Sequence, residues 1–380
     1  MEAKPTDLAA GGLPRDAVPS AAELTSLVSA AVGHRAAVGQ WRAETVPYQS
    51  GSPATGALAR LRGVTADGEP WSVFVKVLQH PRHWRLLDRV PDEVREDFLT
   101  SFPWRAELGA WKPSFAGRLP AGLRVPALYR VIELPEDRVA VWMEDIAASD
   151  EAWTAARFEM AAERLGTLAA NRRDPDLIAA CPVPPGYGLR RYYDGTVQPA
   201  LPWLRSHDLW AHPRMAAAGG AGLRADLVEL AARAPAILDR LDQLPQALPH
   251  GDASPQNLLI PVAEPGTLVA IDVAFQHPLA VGFDLAQLLV GLVHAGLMPA
   301  ADLPAIHARL PAAYTSGMEK GRQPATLDDI QAGYIGSLAI RAAFTSLPFR
   351  EPISSVTGDH IDQRIALTRF ITDAGLRLPI

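Results

Sequence analysis

His250-Gly251-Asp252-Ala253-Ser254-Pro255-Gln256-Asn257 sets a carboxylate and a carboxamide five residues apart. After the apolar run Leu258-Leu259-Ile260, a second carboxylate, Asp272, follows Leu268-Val269-Ala270-Ile271. Phosphoryl transfer from a nucleoside triphosphate has work for all three. One carboxylate orients the attacking hydroxyl, while an amide oxygen and a second carboxylate hold the magnesium that bridges the phosphates. Asp252 is therefore the candidate catalytic base, since a weak hydroxyl nucleophile needs positioning more than strong basicity. Asn257 and Asp272 are candidate metal ligands, because magnesium takes a few hard oxygens from the protein and keeps several waters. A turn closed by a capping Asp would account for His-Gly-Asp alone, but not for the three residues at these intervals.

The second candidate cluster lies upstream. Trp71-Ser72-Val73-Phe74-Val75-Lys76-Val77-Leu78 reads as a strand after the turn signal Ala66-Asp67-Gly68. Alternation places Ser72, Phe74, Lys76 and Leu78 on one face, with Trp71, Val73, Val75 and Val77 on the other. A lysine amid such a strand needs a counter-ion if buried, or else snorkels at a strand edge. Glu107, in the apolar-flanked Trp104-Arg105-Ala106-Glu107-Leu108, is the favoured partner. Glu93 and Glu96 are rivals in a more charged neighbourhood. Gly51-Ser52-Pro53-Ala54-Thr55-Gly56 precedes the strands and could cradle phosphates through Ser52, Thr55 and Gly56. It matches no established phosphate-loop pattern, and a hairpin turn explains it too.

HGD-x-x-x-x-N followed by Ile271-Asp272 and Gly282-Phe283-Asp284-Leu285 resembles the aminoglycoside phosphotransferase and choline kinase group, a small-molecule branch of the protein-kinase-like fold. The likeness is specific over about residues 248–290, moderate at 50–80 and 104–146, and faint elsewhere. The protein-kinase signature has Arg where Gly251 stands, and the likeness departs at Val273, where relatives often carry an aromatic residue. Val73-Phe74-Val75-Lys76 resembles the kinase pattern VAIK, with Phe74 in place of the small residue beside the adenine. The resemblance implies that Lys76 grips the α/β-phosphates and that Glu107 pairs with it. It implies that the backbone of Met143, Glu144 and Ile146 forms a hinge against the adenine edge. A strand end followed by a charged linker is the plain reading of the same residues. His250 is expected to support the catalytic loop, and Asp284 to cap the helix beginning at Leu285 or to brace that loop. The cofactors implied are ATP or GTP and Mg2+, with a small-molecule hydroxyl compound as acceptor.

Composition sets the frame. The chain has 380 residues, 48% of them hydrophobic, enough for more than one core. A net charge of −6 without a run of like charge argues against a nucleic-acid partner. The single cysteine, Cys181, forms no internal disulfide and fits a reducing cytoplasm. The start, MEAKPTDLAAGG, lacks the layout of a signal peptide. Leu285–Ala301, interrupted by Gln287 and His294, falls short of the ~20 residues a membrane span needs. No membrane partner is expected, and oligomeric state is open.

The expected fold class is α+β, a two-lobed kinase-like arrangement. Residues 1–20 read as a flexible N-terminus, 21–146 as an antiparallel-sheet nucleotide lobe and 147–380 as a larger helical lobe. Strands are expected near 71–78, 124–131 and 138–144, with helices over 21–33 and 104–115. Residues 81–100 read as a charged insertion or a poorly packed helix. In the second lobe, helices are expected at 151–173, capped by Ser149 or Asp150, and at 221–243, 284–297, 301–320, 327–346 and 359–375. Tyr187, Tyr192, Tyr193, Trp203 and Trp210 mark an aromatic region that suits either an acceptor site or core under a long loop. The scattered Asp328, Asp329, Glu351, Asp359 and Asp362 read as surface rather than as a cation-binding cluster. The motifs point to a kinase acting on a hydroxyl of a sugar, amino sugar, aminoglycoside-type antibiotic or amino alcohol. The alternative is a non-catalytic nucleotide- or partner-binding member of the same fold. A protein kinase is disfavoured, because the interval from Asp272 to Asp284 is too short for an activation loop.

Overall fold

The computed structural model describes residues 13–47, 51–181, 188–206, 208–349, 351 and 358–380. Tyr187 lies outside them, as does much of the expected flexible N-terminus. The chain divides into two compact units. One comprises Met1–Trp111, Val125–Ala148 and Pro261–Ala263, the other Lys112–Arg124, Ser149–Ile260 and Glu264–Ile380.

The first unit is built on a five-stranded antiparallel sheet. Its strands are β1 (Val38–Thr45), β2 (Thr55–Thr65), β3 (Pro70–Gln79), β4 (Leu128–Leu134) and β5 (Arg138–Glu144). They lie in the order β1-β2-β3-β5-β4, with every neighbouring pair antiparallel. Each face of β3 builds a different core. Trp71, Val73, Val75 and Val77 pack under helix α1 (Ala21–Val32) with its Leu24, Leu27 and Val28. The opposite face joins Leu78, Val139, Val141 and Met143, with Phe74, Trp104 and Leu108 against them. Burying each such side chain stabilises the fold by roughly 1.5–3 kcal/mol. A capping box starts α1: Glu23 N donates to Ser20 Oγ at 3.3 Å, and Ser20 N donates to Glu23 Oε2 at 2.9 Å. Residues 81–101 form two short 3-10 turns and α2 (Asp92–Ser101), which buries no residue. The helix expected over 104–115 is instead a 3-10 segment, Ala106–Trp111, followed by the short helix Pro113–Ala116. Pro113 has no N–H to donate to the preceding turn, so the segment cannot run on as one helix.

The second unit is mainly helical. Helix α3 (Ala155–Asn171) starts later than expected because Thr154 caps it, accepting from Arg157 N at 3.4 Å. The other long helices are α4 (Gly220–Gln243), α5 (Phe283–His294), α6 (Leu310–Lys320), α7 (Leu327–Leu338) and α8 (Gly358–Leu376). The helix expected over 301–320 is broken into a 3-10 turn, Leu303–His307 and α6, with Pro304 and Pro311 each in a first turn. α7 passes into a π turn, Ala339–Ala343. α3 and α6 meet through glycines: a Cβ at Gly317 would overlap the Glu163 carbonyl oxygen, and one at Gly166 the Tyr314 carbonyl oxygen. A small sheet carries the segment that follows His250-Gly251-Asp252. Strands β6 (Leu258–Leu259) and β7 (Leu268–Ala270) pair antiparallel, and Leu123–Arg124 runs parallel to β7. A small antiparallel-sheet unit and a larger, mainly helical one make up the α+β class expected. Among the described residues no helix is long and apolar enough to cross a membrane.

Candidate active site

The β6–β7 hairpin fixes the distance along the chain that the sequence leaves open. Leu258 faces Ala270 and Leu259 faces Val269, while Ile271 N donates to the Asn257 carbonyl at 3.0 Å. Asn257 and Asp272, one just before β6 and the other just beyond β7, are thereby held at the same end of the hairpin. Asn257 closes the 3-10 turn Pro255–Asn257, and its Nδ2 donates to the Asp252 carbonyl at 2.9 Å and to Asp252 Oδ2 at 3.2 Å. With its nitrogen turned to Asp252, the amide keeps its oxygen for a cation. Asp272 adopts φ +55°, in the left-handed region that non-glycine residues seldom occupy. Such strain costs about 1–3 kcal/mol and gathers at functional sites.

The loop is braced from beneath. Gly251 has φ +87°, and a Cβ there would stand 2.6 Å from Phe275 Cβ and overlap the Phe275 carbonyl oxygen. Only glycine fits, on backbone and on space. The wholly buried Asp284 accepts from His250 N at 2.9 Å and from Gly251 N at 2.8 Å. It lies inside the first turn of α5, whose N-cap is Gly282, so the capping role gives way to the bracing one. Burial pushes the Asp284 carboxyl up, against the pull of His250, the two amides and Arg341. His250 accepts from Asp252 N at its Nδ1, 3.3 Å away.

Two arginines near the loop give no sequence signal. Arg341, on the π turn, donates from Nη1 to the Gly251 carbonyl at 2.9 Å and stands 3.3 Å from Asp252 Oδ1 through Nη2. The guanidinium also lies over the Phe283 ring, 5.3 Å from its centroid. Arg172, at the end of α3 and 2% exposed, donates to the carbonyls of Leu248 (2.7 Å) and Ser114 (3.3 Å) and to Gln276 Oε1 (3.0 Å). Leu248 N donates back to the Arg172 carbonyl at 3.1 Å. Burial lowers the Arg172 guanidinium to about 10, so it stays charged at neutral pH.

In the sheet unit, Lys76 Nζ lies 2.7 Å from Glu107 Oε2, with both side chains largely buried. Glu93 and Glu96 are exposed on α2. A buried pair of this kind stands only where both charges are compensated. At the end of β5, Met143 is buried, and Glu144 N donates to the Ala127 carbonyl at 2.9 Å while its Oε2 accepts from Ala127 N at 3.0 Å. The Glu144 N–H is thus taken up within the sheet unit. Ile146 follows, its carbonyl accepting from Ala148 N at 3.0 Å. Between them Asp145 accepts from Arg60 Nε at 2.7 Å and from the Ser72 hydroxyl. The Ser52–Gly56 segment is a closed turn: Ala54 N donates to Ser52 Oγ at 3.2 Å and Thr55 N to the Ser52 carbonyl at 3.4 Å. Gln79 N holds the turn through the Ala54 carbonyl at 2.8 Å. Phosphate contact with the Ala54 and Thr55 amides requires this turn to open.

No family model matches the chain, and no curated protein does. Among solved structures it is similar to an amicoumacin kinase in complex with AMP-PNP, Ca2+ and Ami, at 13% identity over 87% of this chain and 88% of that one, with a TM-score of 0.49. An aminoglycoside phosphotransferase from Alicyclobacillus acidocaldarius matches at 14% identity over 90% of each chain, TM-score 0.46. An ethanolamine kinase from Plasmodium vivax matches at 14% identity over 87% of this chain and 81% of that one, TM-score 0.43. At this identity and score, activity and acceptor have to be argued from this chain's own residues. Those residues suit a hard divalent cation. Among the described residues no three His, Cys, Asp or Glu side chains gather as a metal cage. One amide oxygen and one carboxylate, with phosphates and water completing the shell, is instead the arrangement magnesium accepts.

Proposed function

We propose that the chain is a small-molecule kinase that moves the γ-phosphoryl group of ATP or GTP to a hydroxyl of its acceptor. The observation that carries this reading is the hairpin geometry, in which Asn257 is tied to Asp252 and registered against the strained Asp272. In this reading Asn257 and Asp272 hold Mg2+, which neutralises charge on the phosphates. Asp252 orients the acceptor hydroxyl. It takes the proton as the acceptor oxygen bonds to the γ-phosphorus and the bond to the bridging oxygen breaks, with the electron pair leaving on the nucleoside diphosphate. Lys76, held in place by Glu107, contacts the α/β-phosphates. The main chain of Met143, Glu144 and Ile146 borders the base, with the Glu144 carbonyl and the Ile146 N–H as its polar groups. Ser52, Thr55 and Gly56 cover the phosphates once their turn opens. Arg341 is a positioning residue, fixing one Asp252 oxygen while leaving the carboxylate charged.

The test is Mg-ATP turnover across a panel of sugars, amino sugars, aminoglycosides and amino alcohols, in wild type and Asp252→Asn. The variant is expected to lose about 10²–10⁴-fold in kcat, with ATP affinity by calorimetry unchanged within about two-fold. Equal turnover would remove Asp252 from the chemistry. Tight Mg-ATP binding without phosphorylated product from any acceptor would favour a non-catalytic nucleotide-binding module.

A further inference from the structure

The helical unit contains a cavity of about 520 Å3 that opens beside the catalytic loop, which lends it Ser254 and Gln256. Its volume falls in the range of small-ligand sites. One wall is aromatic. Trp203 and Phe349 stand 6.2 Å apart between ring centroids and are inclined at 45°. Tyr192 joins this wall and is anchored by its hydroxyl, which donates to the Arg341 carbonyl at 3.0 Å.

The polar lining is mostly neutral: Thr196, Gln256, Gln287 and Thr345 contribute hydroxyls and carboxamides. The charges are distributed unequally. Arg341 lines the cavity and touches Asp252. Arg364 is buried and, among the described residues, donates to the carbonyls of Ser346, His294 (3.3 Å) and Thr345 (3.5 Å), with the Glu351 carboxylate acting on it from a distance. Among the described lining residues the one carboxylate is Glu351, exposed and 3.3 Å from His360. An ammonium group brought into this cavity would lose its water and meet two guanidiniums with no buried carboxylate dedicated to it, a costly exchange. Hydroxyl groups would find neutral partners of both donor and acceptor type, and the flat face of a ring would find aromatic carbon.

We infer that this cavity receives the acceptor, and that the acceptor is an uncharged polyhydroxylated ring compound of the sugar class rather than an amine-bearing one. The inference rests on the kinase reading for the word acceptor, but the ligand class stands on the cavity itself.

The test uses the full chain and matched pairs: glucose with glucosamine, galactose with galactosamine, and lactose with kanamycin. Binding is read by ligand-observed NMR without nucleotide, and phosphate transfer separately by mass spectrometry with Mg-ATP. At least one neutral sugar is expected to bind ten-fold or more tightly than its cationic counterpart. Trp203→Ala should weaken that binding ten-fold or more while leaving ATP affinity unchanged, and Trp203→Phe should restore most of it. If Trp203→Ala does not fold, Thr196→Asp carries the test, because a carboxylate in the lining should improve binding of the cationic counterpart about ten-fold. Equal or tighter binding of the amines, or no Trp203-dependent binding of any neutral sugar, overturns the inference. Sugar binding without transfer supports the ligand class and overturns the kinase reading. Transfer to amines alone does the reverse.

Discussion

Lys76 and Glu107 form one pair that bears on stability and, in the proposed reading, on nucleotide binding. Each is buried, and each is the other's counter-charge at 2.7 Å. Removing one takes the 2.7 Å counter-ion from a largely buried charge, which costs about 3–5 kcal/mol. Lys76→Met should therefore lower unfolding stability in urea by about that amount and also weaken ATP binding. The double change Lys76→Met with Glu107→Gln should recover most of the stability and none of the affinity. Recovery of both would take Lys76 out of the nucleotide site. Arg341 makes the complementary point. Its bonds to Gly251 and Asp252 join residues 90 and 89 positions apart. Nothing in Ala339–Ala343 announces such a contact, because an arginine among apolar helix residues reads as a snorkelling side chain until a distant loop meets it.

The elements divide by how local their causes are. β3 was legible because alternation is a property of ten adjacent residues, and its two faces build two different cores. The β6–β7 hairpin was legible in kind, from apolar runs bounding a loop, although the register that aligns Asn257 with Asp272 belongs to the pairing. Ser149, Asp150 and Thr154 are all chemically competent caps for α3, and Thr154 is the one whose side chain accepts from the first turn. Pro304 and Pro311 mark the break in the helix expected over 301–320. The α3–α6 crossing is invisible in either helix alone: Gly166 and Gly317 look like weak helix positions until the two backbones touch. Gly317→Ala should push the helices apart at a cost of ~1–3 kcal/mol, seen as a lower urea midpoint at unchanged slope. An unaltered midpoint would mean that the crossing is looser than the backbone contact implies.

At the scale of the molecule, the helical unit is expected to be acid-sensitive through His277. Burial, with Arg341 adding to it, lowers this imidazole to about 4 from an ordinary 6.5. Between those values the unfolded chain binds a proton that the folded chain refuses. Stability is thus fully present above about pH 6.5 and is lost as the pH falls towards 4, by up to ~3 kcal/mol at about 1.4 kcal/mol per unit. His277→Gln should flatten the stability curve in that window. Comparison of the two proteins isolates the imidazole from Asp284, whose burial acts in the opposite sense. A curve with the same slope in both proteins would rule His277 out as the cause. Arg172 has a different molecular consequence. It binds the end of α3 to the segments on both sides of the β6–β7 hairpin, and Leu248 returns the bond. Parts tied so closely lose their protection from solvent together. The amide of Leu248 and those in the last turn of α3 should exchange deuterium with one common opening free energy, and Arg172→Lys should lower both by the same amount. The segment that carries Asp252 and the end of the long helix bonded to it would then open as one cooperative body, so disturbance at the end of α3 reaches the Asp252 loop.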